Sequence, residues 1–167
     1  MNGNRSLGLL VLLWAVVPCA RGDVSLTTLI AFNGANGGYP NALTLGNDGN
    51  FYGTTSAGGS GLGTVFRMSD DGTLTPLVAF NGNNGAYPSA ALTLGEDGSF
   101  YGTTSGGGIT NSRYSQGMGT VFRMTPSGAL TTLVSFNLTN GARPQAALAL
   151  GNERVSPRIV NGSVLEL

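Results

Sequence analysis

The sequence predicts an all-β fold assembled from tandem units, and three observations carry that reading. FYGTTS occurs at 51–56 and again at 100–105, and each copy leads into GTVFRM, at 63–68 and 119–124. Self-similarity at such a period marks supersecondary units that bury their apolar faces against one another. Between the motifs, short runs of alternating apolar and small or hydroxyl residues are separated by Gly-containing turn signals. Downstream of residue 22, no helical period is sustained over three turns.

The elements follow in chain order. Residues 1–22 carry one early positive charge, Arg5, an apolar run from Leu7 to Val17, and small residues near the end. This is the pattern of a secretory signal peptide, and the run is too short to span a bilayer comfortably. Cleavage is expected after Gly22, with Ala20 as the alternative, and the protein is expected to be secreted or held at the cell surface, outside the membrane once cleaved.

Residues 23–152 form the repeat region, with units at about 26–73 and 74–129 and a partial third at 130–152. Phe32 to Phe80 spans 48 residues, Tyr52 to Tyr101 spans 49, and Phe66 to Phe122 spans 56. One extra alanine in the second unit (Ala90-Ala91 against Ala42) accounts for the first step, and a seven-residue insertion around 109–116 for the second. Within a unit, LTxLVxF suits a pleated, half-buried surface. ALTL is a second strand, and the Asp-Gly after it signals a hairpin whose two central residues both take positive φ. SFYGTTS is the third strand and TVFRM the fourth, after which Asp71-Gly72 or Ser127-Gly128 turns the chain into the next LTxL. Residues 153–167 diverge from the repeat, and Ile159 to Leu165, centred on Asn161-Gly162, reads as a small hairpin.

Four strands in about 50 residues is the accounting of a propeller blade, and closed propellers use about 4–8 blades. About two and a half units cannot close a ring alone. The expectation is an incomplete β-propeller-like array of two complete sheets. LTTLIAF and ALAL would flank them as orphan strands, and apolar faces would be open to self-association.

The combination of FYGTTS, GTVFRM and the intervening NGxNGAxPxALTLGxDG resembles the GloVer tandem-repeat family of exported bacterial proteins across residues 26–152. The resemblance implies a propeller-like architecture and an exported location, with no common activity. Members often carry a C-terminal sorting segment, whereas residues 153–167 lack an apolar span followed by a basic tail. A released protein or an interrupted reading of a longer array is expected.

Composition narrows the chemistry. The chain has no His and no Lys, and its one Cys, Cys19, lies in the expected signal segment, as does its one Trp. Ser-His-Asp, Cys-His, Schiff-base and His-ligated metal chemistry therefore lack their residues on this chain. No cofactor or metal is expected, and the Asp residues at turns are read as turn formers. The formal net charge is zero and no basic patch is present, so nucleic acid is not an expected partner. The candidate contact residues lie in the FNGxNGxYP loops: Asn33, Asn36 and Tyr39 in the first, Asn81, Asn84 and Tyr87 in the second. Amides beside an aromatic ring suit sugar hydroxyls and ring faces, so a glycan or a surface protein is the expected partner class. Arg113 and Tyr114 in the insertion are added because insertions in repeat arrays gather on one face. The function expected is that of a non-enzymatic exported scaffold or binding module. A carbohydrate-binding module and a carboxylate-dependent glycosidase or lyase are the alternatives.

Overall fold

A computed structural model describes residues 27–110, 112–151, 158–160 and 164–166, the last two segments by their backbone alone. The expected signal peptide and most of the tail lie outside the described residues. The described chain is all-β, in two antiparallel sheets and a small hairpin. The first sheet is a meander of β1 (Gly38–Leu45), β2 (Phe51–Ala57), β3 (Thr64–Met68) and β4 (Leu74–Ala79). The second repeats it with β5 (Ala86–Pro88), β6 (Thr93–Leu94), β7 (Phe100–Gly106), β8 (Thr120–Met124) and β9 (Leu130–Ser135). Here β5 and β6 both pair with β7, in the place of β1. The tail hairpin expected from Asn161-Gly162 is present as β10 (Arg158–Val160) against β11 (Val164–Glu166).

The extra alanine explains why one strand became two. In the first sheet, Pro40 faces Thr55 and Leu43 faces Gly53, so β1 carries one bulged residue. In the second, Pro88 faces Thr104 and Thr93 faces Tyr101, so two residues are unmatched and the ladder breaks between β5 and β6. A bulge tolerates one surplus residue by bending the strand, and a second surplus residue interrupts the pairing. Both outer strands also bulge at equivalent points, opposite Val65/Phe66 and Val121/Phe122. Pro76 sits on β4, the outer edge of the first sheet, where its missing N–H costs no ladder bond.

Each sheet takes its last strand from the start of the next sequence unit, so the packing unit straddles the repeat boundary. The LTTLIAF strand expected at the front shows the consequence. Residues 27–32 join no strand, because no TVFRM precedes them to supply the ladder. Phe32 nonetheless packs on Phe66, with ring centroids 5.3 Å apart. Its counterpart Phe80 packs on Phe122 at 5.5 Å and fastens the first sheet to the second.

The turns depart from the sequence expectation in one respect. At Gly46–Asn50, Gly46 N–H donates to Asn50 O and Gly49 N–H to Gly46 O, and only Gly49 has positive φ, at 78°. The same pattern recurs at 69–73, 95–99 and 125–129. These are three-residue hairpin loops, a type I turn closed by a left-handed Gly, so the residue before each Gly keeps an ordinary φ, Ser127 in the last turn and in the other three an Asp. Its carboxylate accepts the backbone N–H two residues on, as from Asp48 to Asn50 (3.2 Å), Asp71 to Thr73 (2.8 Å) and Asp97 to Ser99 (3.0 Å).

The main core lies between the two sheets, around Tyr52, Val65 and Phe80 from the first and Phe100, Phe122 and Met124 from the second. Tyr52 stacks on Phe100 with centroids 4.1 Å apart and planes at 29°. Each fully buried ring of this kind contributes roughly 1.5–3 kcal/mol. Hydroxyls add direction to this burial: Thr44 donates to Leu92 O (2.6 Å) and Thr54 to Ala90 O (3.2 Å). The next unit repeats both, Thr93 to Leu148 O (2.5 Å) and Thr103 to Ala146 O (3.1 Å). Small residues allow the rings to nest. A Cβ at Gly102 would lie 2.5 Å from Phe122 Cζ and 2.9 Å from Leu92 Cδ2, and one at Gly53 would meet Phe66 and Leu43 in the same way.

Gly102→Ala is therefore expected to destabilise the fold by roughly 1–3 kcal/mol in denaturant unfolding, as overpacked core positions do. Leu138 stands where the first two units have Gly34 and Gly82, at φ 78°. Leu138→Gly is expected to raise stability by about 1 kcal/mol, read as a shift in the denaturant midpoint, by relieving the left-handed strain.

Candidate functional site

The NGxNG loops are built by their own asparagines. Asn33 N–H donates to Asn36 Oδ1 at 2.9 Å while Asn36 N–H donates to Asn33 Oδ1 at 3.2 Å. Asn81 and Asn84 exchange the same pair of bonds at 2.9 and 3.1 Å, and Asn137 and Asn140 at 2.9 and 3.3 Å. Asn36 Nδ2 also donates to Ala31 O at 3.1 Å, tying the loop to the segment before it. The amide oxygens of the four candidate asparagines are thus committed to holding the loop closed. What the loop presents outward is the residue two beyond its last Asn–Gly pair.

That residue is Tyr39 in the first loop and Tyr87 in the second, with Arg143 in the third. All three adopt the left-handed region, with φ of 53°, 55° and 50°. A non-glycine residue there is uncommon, and the Pro that follows each would ordinarily push it toward extended backbone. The conformation aims the N–H at the neighbouring unit: Tyr87 N–H donates to Leu62 O at 2.8 Å, and Arg143 N–H to Met118 O at 2.6 Å. The side chains are turned outward as a result. Tyr39 is 72% exposed and Tyr87 39%. Glycine would make the same backbone bond without strain, so the rings are an addition to the backbone geometry.

At the hairpin turns after β1 and β6, a second set of side chains converges. A cavity of about 390 Å³ is lined by Asn47, Asp48, Asp97, Gly98, Phe100 and Pro126. The two carboxylates in it are heavily bonded. Asp48 accepts from Asn50 Nδ2 and from the Tyr52 hydroxyl, each at 2.8 Å. Asp97 accepts from the Tyr101 hydroxyl at 3.1 Å and pairs with Arg123 at 2.7 Å. The Asn50 amide above all, with Tyr52 and the backbone, holds the Asp48 carboxyl below its ordinary range. Desolvation alone would raise Asp97, but the bonds from Ser99, Arg123 and Tyr101 outweigh it and the carboxyl is lowered too. Tyr52 moves the other way: burial first, then the Asp48 carboxylate that it bonds, push its hydroxyl up to about 12. The Asp–Tyr spacing of four residues across each turn (D-G-N-F-Y and D-G-S-F-Y) is visible as repeated sequence, but sequence alone does not separate it from turn chemistry.

The insertion places its two candidates together. The Arg113 guanidinium lies 5.8 Å from the centroid of the Tyr114 ring. Tyr114 in turn packs against the cluster of Met118, Val121, Phe136 and Leu148, while Arg113 is exposed.

The model of the Gloeobacter/Verrucomicrobia repeat matches residues 16–156. The chain belongs to that family. No curated protein matches the sequence. The Gloeobacter/Verrucomicrobia repeat thus has, in this member, two structured copies whose motifs occupy equivalent places: FYGTTS in the middle of each sheet, GTVFRM beside it, and the Tyr-Pro loops where one unit meets the next.

Tyr52 generates a prediction in alkali. A hydroxyl raised from 10 to about 12 in the fold favours the neutral form. Its contribution to stability is whole below pH 10 and is lost as the pH climbs toward 12. Stability followed against pH is expected to fall across that window, and Tyr52→Phe is expected to flatten the fall. Tyrosinate absorbance should show a step near pH 12 that Tyr52→Phe removes.

Proposed function

We propose that this chain is a non-enzymatic repeat module that acts outside the cell, a scaffold that presents the Tyr39 and Tyr87 loops to a surface ligand. The observation that carries the reading is the left-handed, outward Tyr before Pro on a loop locked by paired asparagines. Such strain costs of order 1–3 kcal/mol and persists where the surroundings over-determine it, a pattern that favours a binding role. The loop is rigid before any ligand arrives, which lowers the ordering cost of binding. The extracellular setting rests on the signal-like segment at residues 1–22.

Carbohydrate is the ligand class these loops fit best, since a flat exposed ring on a rigid loop matches the apolar face of a sugar. A glycosidase is the less favoured reading, although Asp48 and Asp97 line one cavity. Glycoside hydrolysis needs one carboxyl that keeps its proton, with a raised pKa, beside one that is ionised. Both carboxyls are lowered here, so neither is set up as the acid.

The test is an array of soluble and cell-wall polysaccharides probed with the chain and with Tyr39→Gly and Tyr87→Gly. Glycine keeps the left-handed backbone, so the variants are expected to fold with unchanged or slightly higher stability and to lose binding at least tenfold. Retention that survives removal of both rings would falsify the loop assignment. Lack of binding to any glycan would remove the carbohydrate reading, and turnover of a glycoside would remove the non-enzymatic one.

A further inference from the structure

The two outer faces of the array are the two halves of the interface at its centre. Between the sheets, Tyr52, Val65 and Val78 of the first meet Phe100, Phe122 and Met124 of the second. The far face of the second sheet carries the repeat counterparts of the first three, Tyr101, Val121 and Val134. On the far face of the first sheet stand the counterparts of the other three, Phe51, Phe66 and Met68. Tyr52 and Phe100 cover each other and are 0% and 1% exposed, whereas Tyr101 and Phe51, the same residues one unit along, are only half-buried. Phe66, Met68 and Val121 are nonetheless buried, at 1%, 1% and 2% exposure, packed with Phe32 and Ile30 on one face and with Met118, Phe136 and Leu148 on the other, so the difference falls on the stacking rings.

We infer that copies of this chain associate head to tail, the second sheet of one copy against the first sheet of the next. Tyr101 stacks on Phe51 of the next copy as Tyr52 stacks on Phe100. The occupant is a second copy because the fit already exists inside the chain: the outward surfaces repeat, residue for residue, a packed and directionally bonded interface. Thr93, which donates to Leu148 O, would then donate to Leu43 O of the next copy, the position equivalent to Leu92.

Docking exchanges two end segments. Residues 27–32 and 141–148 run beside these faces without joining a strand ladder. They hold the seats that Phe136 and Leu43 of neighbouring copies take in the assembly. Phe32 yields its place on Phe66 to Phe136, as Phe80 holds Phe122 within the chain. The contact is heterologous, so it propagates until the ring closes. With two blades among the described residues of each copy and closed propellers of about 4–8 blades, closure is expected at two to four copies.

The experiment measures mass by sedimentation and light scattering over a range of concentrations, on the chain as purified from an exporting host. The unaltered chain is expected to form a closed species of two to four copies. Phe51→Asp spoils one face and Tyr101→Asp the other, and each variant alone is expected to be a monomer. Mixed in equal amounts, they are expected to form a one-to-one dimer and nothing larger, because each retains the face the other lacks. Formation of that dimer also establishes that both variants fold. A monomeric unaltered chain at every concentration overturns the inference. So does either variant assembling like the unaltered chain, or a mixture that stays monomeric. The inference stands apart from the glycan reading: Tyr39→Gly and Tyr87→Gly are expected to leave the mass unchanged.

Discussion

A sheet with apolar side chains on both faces cannot stand alone in water, and the rest of this structure follows from that constraint. Tyr52 stacked on Phe100 is the contact through which the first sheet meets the second. Phe80 on Phe122 closes the same interface from the linker, and the Thr44 and Thr54 hydroxyls bind it to the neighbouring backbone. Apolar burial is non-directional and sets how much is gained, while each hydroxyl–carbonyl bond adds about 1 kcal/mol and fixes how the sheets are aligned. Glycines at 53 and 102 leave the room that the Phe66 and Phe122 rings fill.

The same interface accounts for the position of the loops. The N–H of Tyr87 reaches Leu62 O, and that of Arg143 reaches Met118 O, so the left-handed residue is a joint between units before it is anything else. The joint turns its side chain away from the core. An architecture that must satisfy a backbone donor at each junction thus produces a row of outward side chains, one per unit. In this chain the row reads Tyr, Tyr, Arg. The paired asparagines keep each joint rigid, which is why the amides that looked available in the sequence are spent on the loop itself.

Much of the fold was legible because the signals were local and repeated. FYGTTS, GTVFRM and the Gly-containing turns predicted four strands in a unit, whereas LTTLIAF, expected as an orphan strand, forms no strand over residues 27–32. The turn type was not legible, since Asp-Gly is compatible with two-residue and three-residue loops, and only the hydrogen bonds of residues 46–50 decide between them. The candidate site was legible only in part. Tyr39 and Tyr87 could be picked out as rings beside Pro, but their left-handed φ could not be read from a dipeptide that ordinarily prefers extended backbone.

By itself the sequence determined the all-β class, the unit of four strands and their order in the meander. It did so because strand alternation, turn residues and composition are properties of neighbours along the chain. Only the tertiary structure decided which ring covers which. Tyr52 and Tyr101 sit in identical hexapeptides, yet one is fully buried and the other is not, because burial depends on the sheet that packs alongside. FYGTTS therefore names a strand without settling its environment, and the difference between its two copies is made by the neighbour each one has.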